Sequence, residues 1–300
     1  MVRLGGLIIL ILGLAGCQEP EPVVSLWTPE QLVEARNIQK DILLLDIRKP
    51  KKYNKGHIPG AAQLWRSDIQ STEYDYGGMR AEREHIEFLM DSLGANSETT
   101  ILCYDDRGGC DAARMWWLLR YYGHEKAGII DGGLEGWKHS GLATSQEPYA
   151  SPSNGGFRFV EEVREEMLAE RSDVEKAVEK GGFILVDTRT DEEFEGSFQK
   201  KGAARAGRIP GSVHYNWGNA VEMDKYHQMK SIKDLQYDLK KAGVTPDTPI
   251  IAYCHTGVRS AHTTFVLTEL LGYNNVSNYD GSWTEWSHFD HLPAESSVEP

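Results

Sequence analysis

Short apolar runs alternate along the chain with longer segments whose apolar residues recur at helical spacing. The short runs are bounded by turn-forming residues, which is typical of strands buried in a parallel sheet. They lie at 42–45, 100–104, 183–186 and 250–253. The longer segments are predicted helices, at 82–93, 112–122, 232–242 and 261–271. Strands that alternate with helices predict an α/β fold, with parallel sheets flanked by helices.

The second half of the chain repeats the first at a spacing of 149 residues. In this register Asp105 aligns with Cys254, Cys110 aligns with Arg259, and an Asp-Gly pair recurs after the last strand of each half. A repeat of this length predicts two copies of one fold rather than a solenoid of short units.

Two further motifs recur upstream at a different offset. Asp46-Ile-Arg48 matches Asp187-Thr-Arg189, and the Gly-Xaa-Ile-Pro-Gly turn at 56–60 matches the one at 207–211. The second half carries ten additional residues between these motifs. This insertion is basic; it includes Lys200, Lys201 and Arg205.

The repeat predicts two tandem domains, at 25–144 and 157–294. A segment rich in Pro, Ser and Gly at 145–156 is the predicted linker, and 295–300 is the predicted tail. A length of 300 residues agrees with two domains of ordinary size.

Residues 1–16 have the features of a signal peptide. A basic residue precedes an apolar run at 4–14 that is too short for a usual membrane-spanning helix. The run ends in Leu-Ala-Gly before Cys17, which resembles the lipobox of bacterial lipoproteins. The resemblance implies cleavage before Cys17, lipidation of that residue, a tether at 17–24 and domains in the periplasm or outside the membrane. An uncleaved short anchor is the alternative.

Charge and cysteine content narrow the function classes. The formal net charge of −13 argues against a nucleic-acid partner, which needs a basic face, but it permits a small basic pocket for an anion. Apart from Cys17, the chain has three cysteines, so a complete disulfide framework is excluded. Cys103 is predicted to be a buried strand residue, and a bridge between Cys103 and Cys110 stays open. No clustered His/Cys spacing indicates a metal site.

Cys254 lies between a predicted buried strand and a predicted helix, where open α/β folds bind ligands. Gly257 permits a tight backbone path, so that several N–H groups can point at one spot and stabilise a thiolate. Arg259 adds a permanent cation. The sequence therefore predicts Cys254 as a nucleophile. The predicted anion cradle comprises His255, Thr256, Gly257, Val258, Arg259 and Ser260.

Together these motifs resemble the rhodanese family. The resemblance includes the Cys254 loop, the Asp-Xaa-Arg element, the Ile-Pro-Gly turn and Tyr-Asp-Gly-Ser-Trp at 279–283, and it covers nearly all of 25–292. It implies a thiosulfate sulfurtransferase without metal or organic cofactor, in which Cys254 carries sulfane sulfur as a persulfide and passes it to cyanide or a thiol. It also implies that the first domain, with Asp105 in place of Cys254, is a non-catalytic wall.

Two positions depart from the thiosulfate-using members of that family. Glu193 stands where they carry a cation, and Thr256 stands where they carry a Lys. Mercaptopyruvate-using relatives have a small hydroxyl residue at the latter place, but also a His where Tyr76 aligns. The positive charge that is missing at these two positions could come from Arg208, Arg205, Lys201 and Lys200. The alternative is that these four residues only form a solvated basic loop. Asp187 and Arg189 are expected to support the fold near the site rather than to react.

Other functions use a similar loop. A 3-mercaptopyruvate sulfurtransferase and a persulfide carrier for an envelope partner would both need Cys254. A phosphatase or arsenate reductase is less favoured, because tyrosine-type phosphatases have five residues between Cys and Arg, whereas this chain has four. A pure binding module is least favoured, because Cys254 and Arg259 are both present.

Overall fold

A computed structural model describes residues 25–38, 41–153 and 155–298. The predicted signal peptide at 1–16, the predicted lipidation site Cys17 and the predicted tether at 17–24 lie outside these residues. Within the described ranges, no helix has the length and apolar composition to span a membrane. The predicted α/β fold with two parallel sheets is confirmed.

The first domain contains a five-stranded parallel sheet. Its strands are β1 (Leu26–Trp27), β2 (Ile42–Asp46), β3 (Ala62–Gln63), β4 (Thr100–Tyr104) and β5 (Ala127–Ile130). Its helices are α1 (Pro29–Ile38), α2 (Pro50–Tyr53), α3 (Arg83–Ser92), α4 (Cys110–Tyr121) and α5 (Gly133–His139). The strand order is β1-β5-β4-β2-β3, so the fully buried β4 lies in the centre.

The second domain repeats this arrangement. Its strands are β6 (Leu168–Ala169), β7 (Ile184–Asp187), β8 (Val213–His214), β9 (Val221–Glu222), β10 (Gln228–Met229), β11 (Ile250–Tyr253) and β12 (Val276–Tyr279). Its helices are α6 (Arg171–Lys180), α7 (Asp191–Glu195), α8 (Ile232–Lys241), α9 (Val258–Phe265) and α10 (Ser282–Ser287). The parallel sheet has the order β6-β12-β11-β7-β8, and β9 and β10 form a separate antiparallel pair.

The two domains pack through equivalent elements. Helices α4 and α9 lie against each other, and the ring of Trp116 meets that of Phe265 edge-on at 4.9 Å between centroids. At the ends of the interface, the N–H of Arg80 donates to Asp280 at 2.9 Å and the N–H of Met229 donates to Asp131 at 2.8 Å. The donors Arg80 and Met229 are 149 residues apart, and so are the acceptors Asp131 and Asp280. The two hydrogen bonds are therefore equivalent in the repeat, and the interface has approximate two-fold symmetry.

The start of the second domain differs from the boundary predicted at residue 157. Phe157 and Phe159 are buried in the first domain's core, where Phe159 lies 5.4 Å from Tyr122 between ring centroids. The apolar side chains of this segment complete that core, and the second sheet begins only at β6. Residues 157–167 therefore belong structurally with the first domain.

Candidate active site

Cys254 lies at the carboxyl end of the central strand β11. Helix α9 begins at Val258 rather than at the predicted residue 261, so the loop is only 254–257 and Arg259 lies in the first helical turn. Gly257 turns the chain with a φ of 70°, and a Cβ there would lie 2.7 Å from the carbonyl oxygen of Asp280. The tight turn places the first N–H groups of α9 close to the sulfur.

The surroundings of Cys254 favour a thiolate. The side chain is 1% exposed, and burial alone would raise its pKa. The positive charge of Arg259, the hydroxyl of Ser260 and the N–H groups of Ser260 and Thr256 outweigh burial and lower the pKa to about 7. Since the thiolate is the nucleophilic form, Cys254 is activated near neutral pH.

A second segment supports the loop from the start of α10. Ser282 has a left-handed φ of 53°, and its Oγ accepts the N–H groups of Cys254 at 3.1 Å and Gly257 at 3.0 Å. The Thr284 hydroxyl donates to the carbonyl of His255 at 2.5 Å. In the sequence, the motif at 279–283 indicated only a family resemblance, and its role in positioning the Cys254 loop was not predicted.

Glu193 holds the cation of the loop. Its two carboxylate oxygens accept from Arg259 at 2.5 and 2.9 Å, in a buried bidentate pair. Burial would raise the pKa of Glu193, but Arg259 outweighs it and lowers that pKa to about 2. The carboxylate therefore stays charged and fixes the guanidinium near Cys254.

A cavity of about 310 Å³ opens between the domains in front of Cys254. The described residues that line it include no Asp or Glu. Its cations come from both domains. The first domain contributes Arg66 and Arg107, and the second contributes Lys200, Lys201 and Arg259. The cavity is therefore a cationic pocket in a chain of net charge −13.

The structure separates the four candidates for substitute charge. Lys200 and Lys201 line the cavity. Arg208 and Arg205 are not among the described lining residues, because their guanidiniums serve other contacts. Arg208 donates to the carbonyl of Phe194 at 3.1 Å, and Arg205 donates to that of Leu292 at 2.6 Å. Arg208 is thus not brought to the site, contrary to the sequence-based expectation.

Asp187 and Arg189 form a buried ion pair at 2.5 Å. Arg189 also donates to the carbonyl of Gly207 at 2.8 Å, which ties the Ile-Pro-Gly turn to the end of β7. Asp46 and Arg48 make the same pair in the first domain. Because the pair occurs with and without a catalytic cysteine, its geometry agrees with the expected structural role.

The remaining loop side chains contact neighbouring segments. Nε2 of His255 lies 3.0 Å from the carbonyl of Lys201, and burial lowers the pKa of His255 to about 4, so the ring is neutral at pH 7. Thr256 packs against Gly78 of the first domain, where an added Cβ would lie 2.5 Å from the Thr256 Cβ. The loop is thus held by both domains.

The equivalent loop of the first domain contains the Asp105 carboxyl group, whose pKa is raised by burial and by the nearby Asp111. The buried carboxylate of Asp105 accepts four backbone N–H groups at 2.7 to 3.1 Å. The donors are the N–H groups of Arg107, Gly109, Asp111 and Ala112. The same cradle that surrounds Cys254 is therefore filled by a side chain here.

The three described cysteines, Cys103, Cys110 and Cys254, are free thiols in this structure. Cys103 is fully buried in β4, as expected for a strand residue. Burial raises the pKa values of Cys103 and Cys110 well above that of an ordinary thiol. Cys254 is therefore the described cysteine whose surroundings favour the thiolate.

This site, on a pair of parallel-sheet domains, defines a class of protein that binds an anion at a reactive cysteine. The family model described as a rhodanese-like domain matches residues 28–140 and 170–289. The chain therefore belongs to the rhodanese-like family, and it is a tandem member with a Cys254-based sulfurtransferase site.

Curated relatives match over nearly their whole length. The chain is 34% identical over 301 residues to a sulfur carrier protein, TtuD, of Thermus thermophilus, with coverage of 95% of this chain and 100% of that protein. It is 31% identical over 263 residues to a thiosulfate sulfurtransferase of Azotobacter vinelandii, with coverage of 88% and 94%. It is 32% identical over 307 residues to a putative thiosulfate sulfurtransferase, SseA, of Mycobacterium tuberculosis, with coverage of 94% and 96%.

Among solved structures, an anaerobic ergothioneine biosynthesis enzyme from Chlorobium limicola superposes with a TM-score of 0.82 at 23% identity. The superposition covers 93% of this chain and 72% of the other. At this identity, the likeness concerns the fold alone.

Proposed function

We propose that this protein moves sulfane sulfur from thiosulfate to a thiophilic acceptor through a persulfide on Cys254. The observation that carries the proposal is a buried thiol with a pKa of about 7 that faces a cationic cavity. The names of the Azotobacter and Mycobacterium relatives support thiosulfate as the donor.

The first step loads the enzyme. The Cys254 thiolate attacks the outer sulfur of thiosulfate, a new S–S bond forms, and the original S–S bond breaks with its electron pair leaving on sulfite. The terminal persulfide sulfur then carries the negative charge. The N–H groups at the start of α9 and the charge of Arg259 stabilise that sulfur without reorganisation, because Glu193 already holds the guanidinium in place.

The second step returns the enzyme to its starting state. Cyanide attacks the terminal sulfur, thiocyanate departs, and the electron pair of the broken S–S bond returns to Cys254 as a thiolate. No proton transfer is needed in either step, which agrees with a neutral His255 in the loop. A thiolate acceptor would leave as a persulfide by the same path.

The test is sulfite release from thiosulfate with cyanide as acceptor, together with intact-mass analysis after exposure to thiosulfate. We expect turnover and a mass increase of one sulfur atom, about 32 Da, in the natural protein, and neither in Cys254→Ser. Absence of both in the natural protein would refute the proposal. Efficient hydrolysis of an aryl phosphate, abolished by Cys254→Ser, would instead establish the phosphatase alternative.

A persulfide carrier is the second candidate, favoured by the similarity to the Thermus protein named as a sulfur carrier. Its expected signature is the sulfur adduct without steady-state turnover of cyanide. The 3-mercaptopyruvate alternative rests on Thr256, and its signature is loading of Cys254 by mercaptopyruvate faster than by thiosulfate.

We further propose that Cys17 is lipidated and holds both domains at a membrane on the outer side. The sequence Leu-Ala-Gly-Cys after a short apolar run supports this location. Expression in a bacterial host, with membrane fractionation and mass spectrometry of the mature N-terminus, tests it. We expect a membrane-bound, diacylated protein that Cys17→Ser releases; an unmodified Cys17 in the mature protein would contradict the proposal.

A further inference from the structure

The cations that line the cavity are not at the two positions at which the family resemblance predicts them. Glu193 and Thr256 occupy the two positions at which thiosulfate-using relatives would be expected to hold the donor anion. Here Glu193 is paired with Arg259, and Thr256 packs against Gly78 of the first domain. Neither residue supplies a cation to the donor, so the anionic end of the donor needs another binding site.

We propose that this anionic end binds among Lys200, from the insertion of the second domain, and Arg66 and Arg107, from the first domain. All three residues line the cavity in front of Cys254. This inference rests on the proposed function and specifies the substrate class: a sulfur donor that ends in an oxyanion such as a sulfonate. It also makes the first domain a part of the substrate site.

The two arginines share one counter-ion. Asp111 lies 3.1 Å from Arg107 and 3.5 Å from Arg66, and its side chain is buried whereas both guanidiniums are partly exposed. Asp111 pairs with one nitrogen of each guanidinium, so both arginines keep N–H donors that this carboxylate does not occupy. Guanidiniums held in this way present the remaining N–H donors to an oxyanion.

Lys200 completes the site from the opposite domain. Within the described part of the chain, its ammonium has neither a hydrogen-bond nor an ion-pair partner. Desolvation at the cavity wall, followed by the charge of Arg259, lowers the pKa of Lys200. An oxyanion between Lys200 and the two arginines would oppose both effects, because it adds negative charge beside the ammonium, in addition to that of Glu193.

Two alkylating reagents of nearly equal size separate anion binding from thiol activation. Iodoacetate is an anion and iodoacetamide is neutral, and both alkylate the Cys254 thiolate. The ratio of their rates therefore reports attraction of an anion, whereas the iodoacetamide rate alone reports the reactivity of the thiolate.

We expect Lys200→Gln, Arg107→Gln and Arg66→Gln each to lower the iodoacetate-to-iodoacetamide ratio by about three- to tenfold. The iodoacetamide rate should change by less than about twofold. The matched control is Lys180→Gln, an exposed lysine on α6 outside the cavity, which should leave the ratio unchanged. Thermal melting of each variant establishes that it is folded before the rates are compared.

An unchanged ratio in all three variants would overturn the proposed site. So would an equal loss of both rates, because the residues would then act on the thiolate and not on the anion. Sulfite release from thiosulfate, measured on the same samples, keeps the two proposals apart. A natural protein that prefers iodoacetate but does not turn over thiosulfate would keep the anion site and lose the proposed donor.

Discussion

The loops that follow β4 and β11 have a similar backbone conformation, but their N–H groups surround different side chains. In the first domain, the carboxylate of Asp105 accepts four N–H groups, so the cradle is occupied by the chain itself. In the second domain, Cys254 brings a single sulfur atom to the same place and leaves the cradle facing a cavity. The same arrangement of N–H groups can therefore stabilise the fold, where Asp105 accepts them, or favour a reactive thiolate, where Cys254 takes its place.

The surroundings of the two loops strengthen this contrast. Cys110 stands in the first domain where Arg259 stands in the second, and it packs in an apolar cluster with Trp217 and Val221. A Cβ on Gly108 would lie 2.7 Å from a methyl carbon of Val221, so the second domain closes directly over the first loop. Arg107 of the first loop still lines the cavity, but the buried Asp105 does not, whereas in the second loop the reactive residue Cys254 itself lines the cavity.

Replacing the reactive residue by its counterpart gives the largest expected effect. In Cys254→Asp, the new carboxylate would accept the N–H groups of the loop as Asp105 does, and no nucleophilic sulfur remains. We expect thiosulfate turnover to fall by at least about a thousandfold. The melting temperature should not fall below that of Cys254→Ser. A much lower melting temperature would show that the two cradles are not equivalent.

Emptying the first cradle should mainly cost stability. Asp105→Ala leaves four buried N–H groups without their acceptor, and we expect a loss of about 3 kcal/mol in the free energy of unfolding. The matched control Asp106→Ala removes only a partly exposed ion pair with Lys52, so it should cost less than about 1 kcal/mol. Denaturant unfolding of both variants measures the difference; equal losses would contradict a stabilising role of Asp105.

The lowered pKa of Cys254 should make stability depend on pH. In the folded state the thiol titrates at about 7, against an ordinary value of 9.0, so between these values the unfolded state binds a proton that the folded state has released. Stability linked to Cys254 therefore rises with pH over this window and is lost as the pH falls through 7, by on the order of 2 kcal/mol. The difference in unfolding free energy between the natural protein and Cys254→Ser measures it. A difference that stays constant from pH 7 to 9 would refute the lowered pKa.

Removing the cation that distinguishes the second loop should have the smallest effect. We expect the double variant Arg259→Gln with Glu193→Gln, which avoids an unpaired buried charge, to raise the pKa of Cys254 by about one unit. Alkylation by iodoacetamide at pH 7 should then fall by about fivefold and recover at higher pH. A loss that persists at high pH would show that Arg259 acts on the loop geometry and not on the thiolate.

Much of this site could be predicted from the sequence because its elements are local. Cys254, Gly257 and Arg259 lie within six consecutive residues that follow a recognisable strand. Lys200 and Lys201 stood out as part of a basic insertion, although the sequence could not separate them from Arg205 and Arg208. All four lie in one loop region, and only the path of the backbone decides which cations reach the cavity.

The sequence by itself determined the two-domain α/β plan and the reactive loop, since buried strands, turns and the repeat are encoded in neighbouring residues. Only the tertiary structure brought Arg66 and Arg107 of one domain opposite Lys200 of the other, and placed Ser282 behind the loop. It also packed Phe157, Phe159 and Met167, which precede the second sheet, into the first domain's core. These contacts join residues far apart in the chain, and no local pattern encodes them because they arise only when the two folded domains pack against each other.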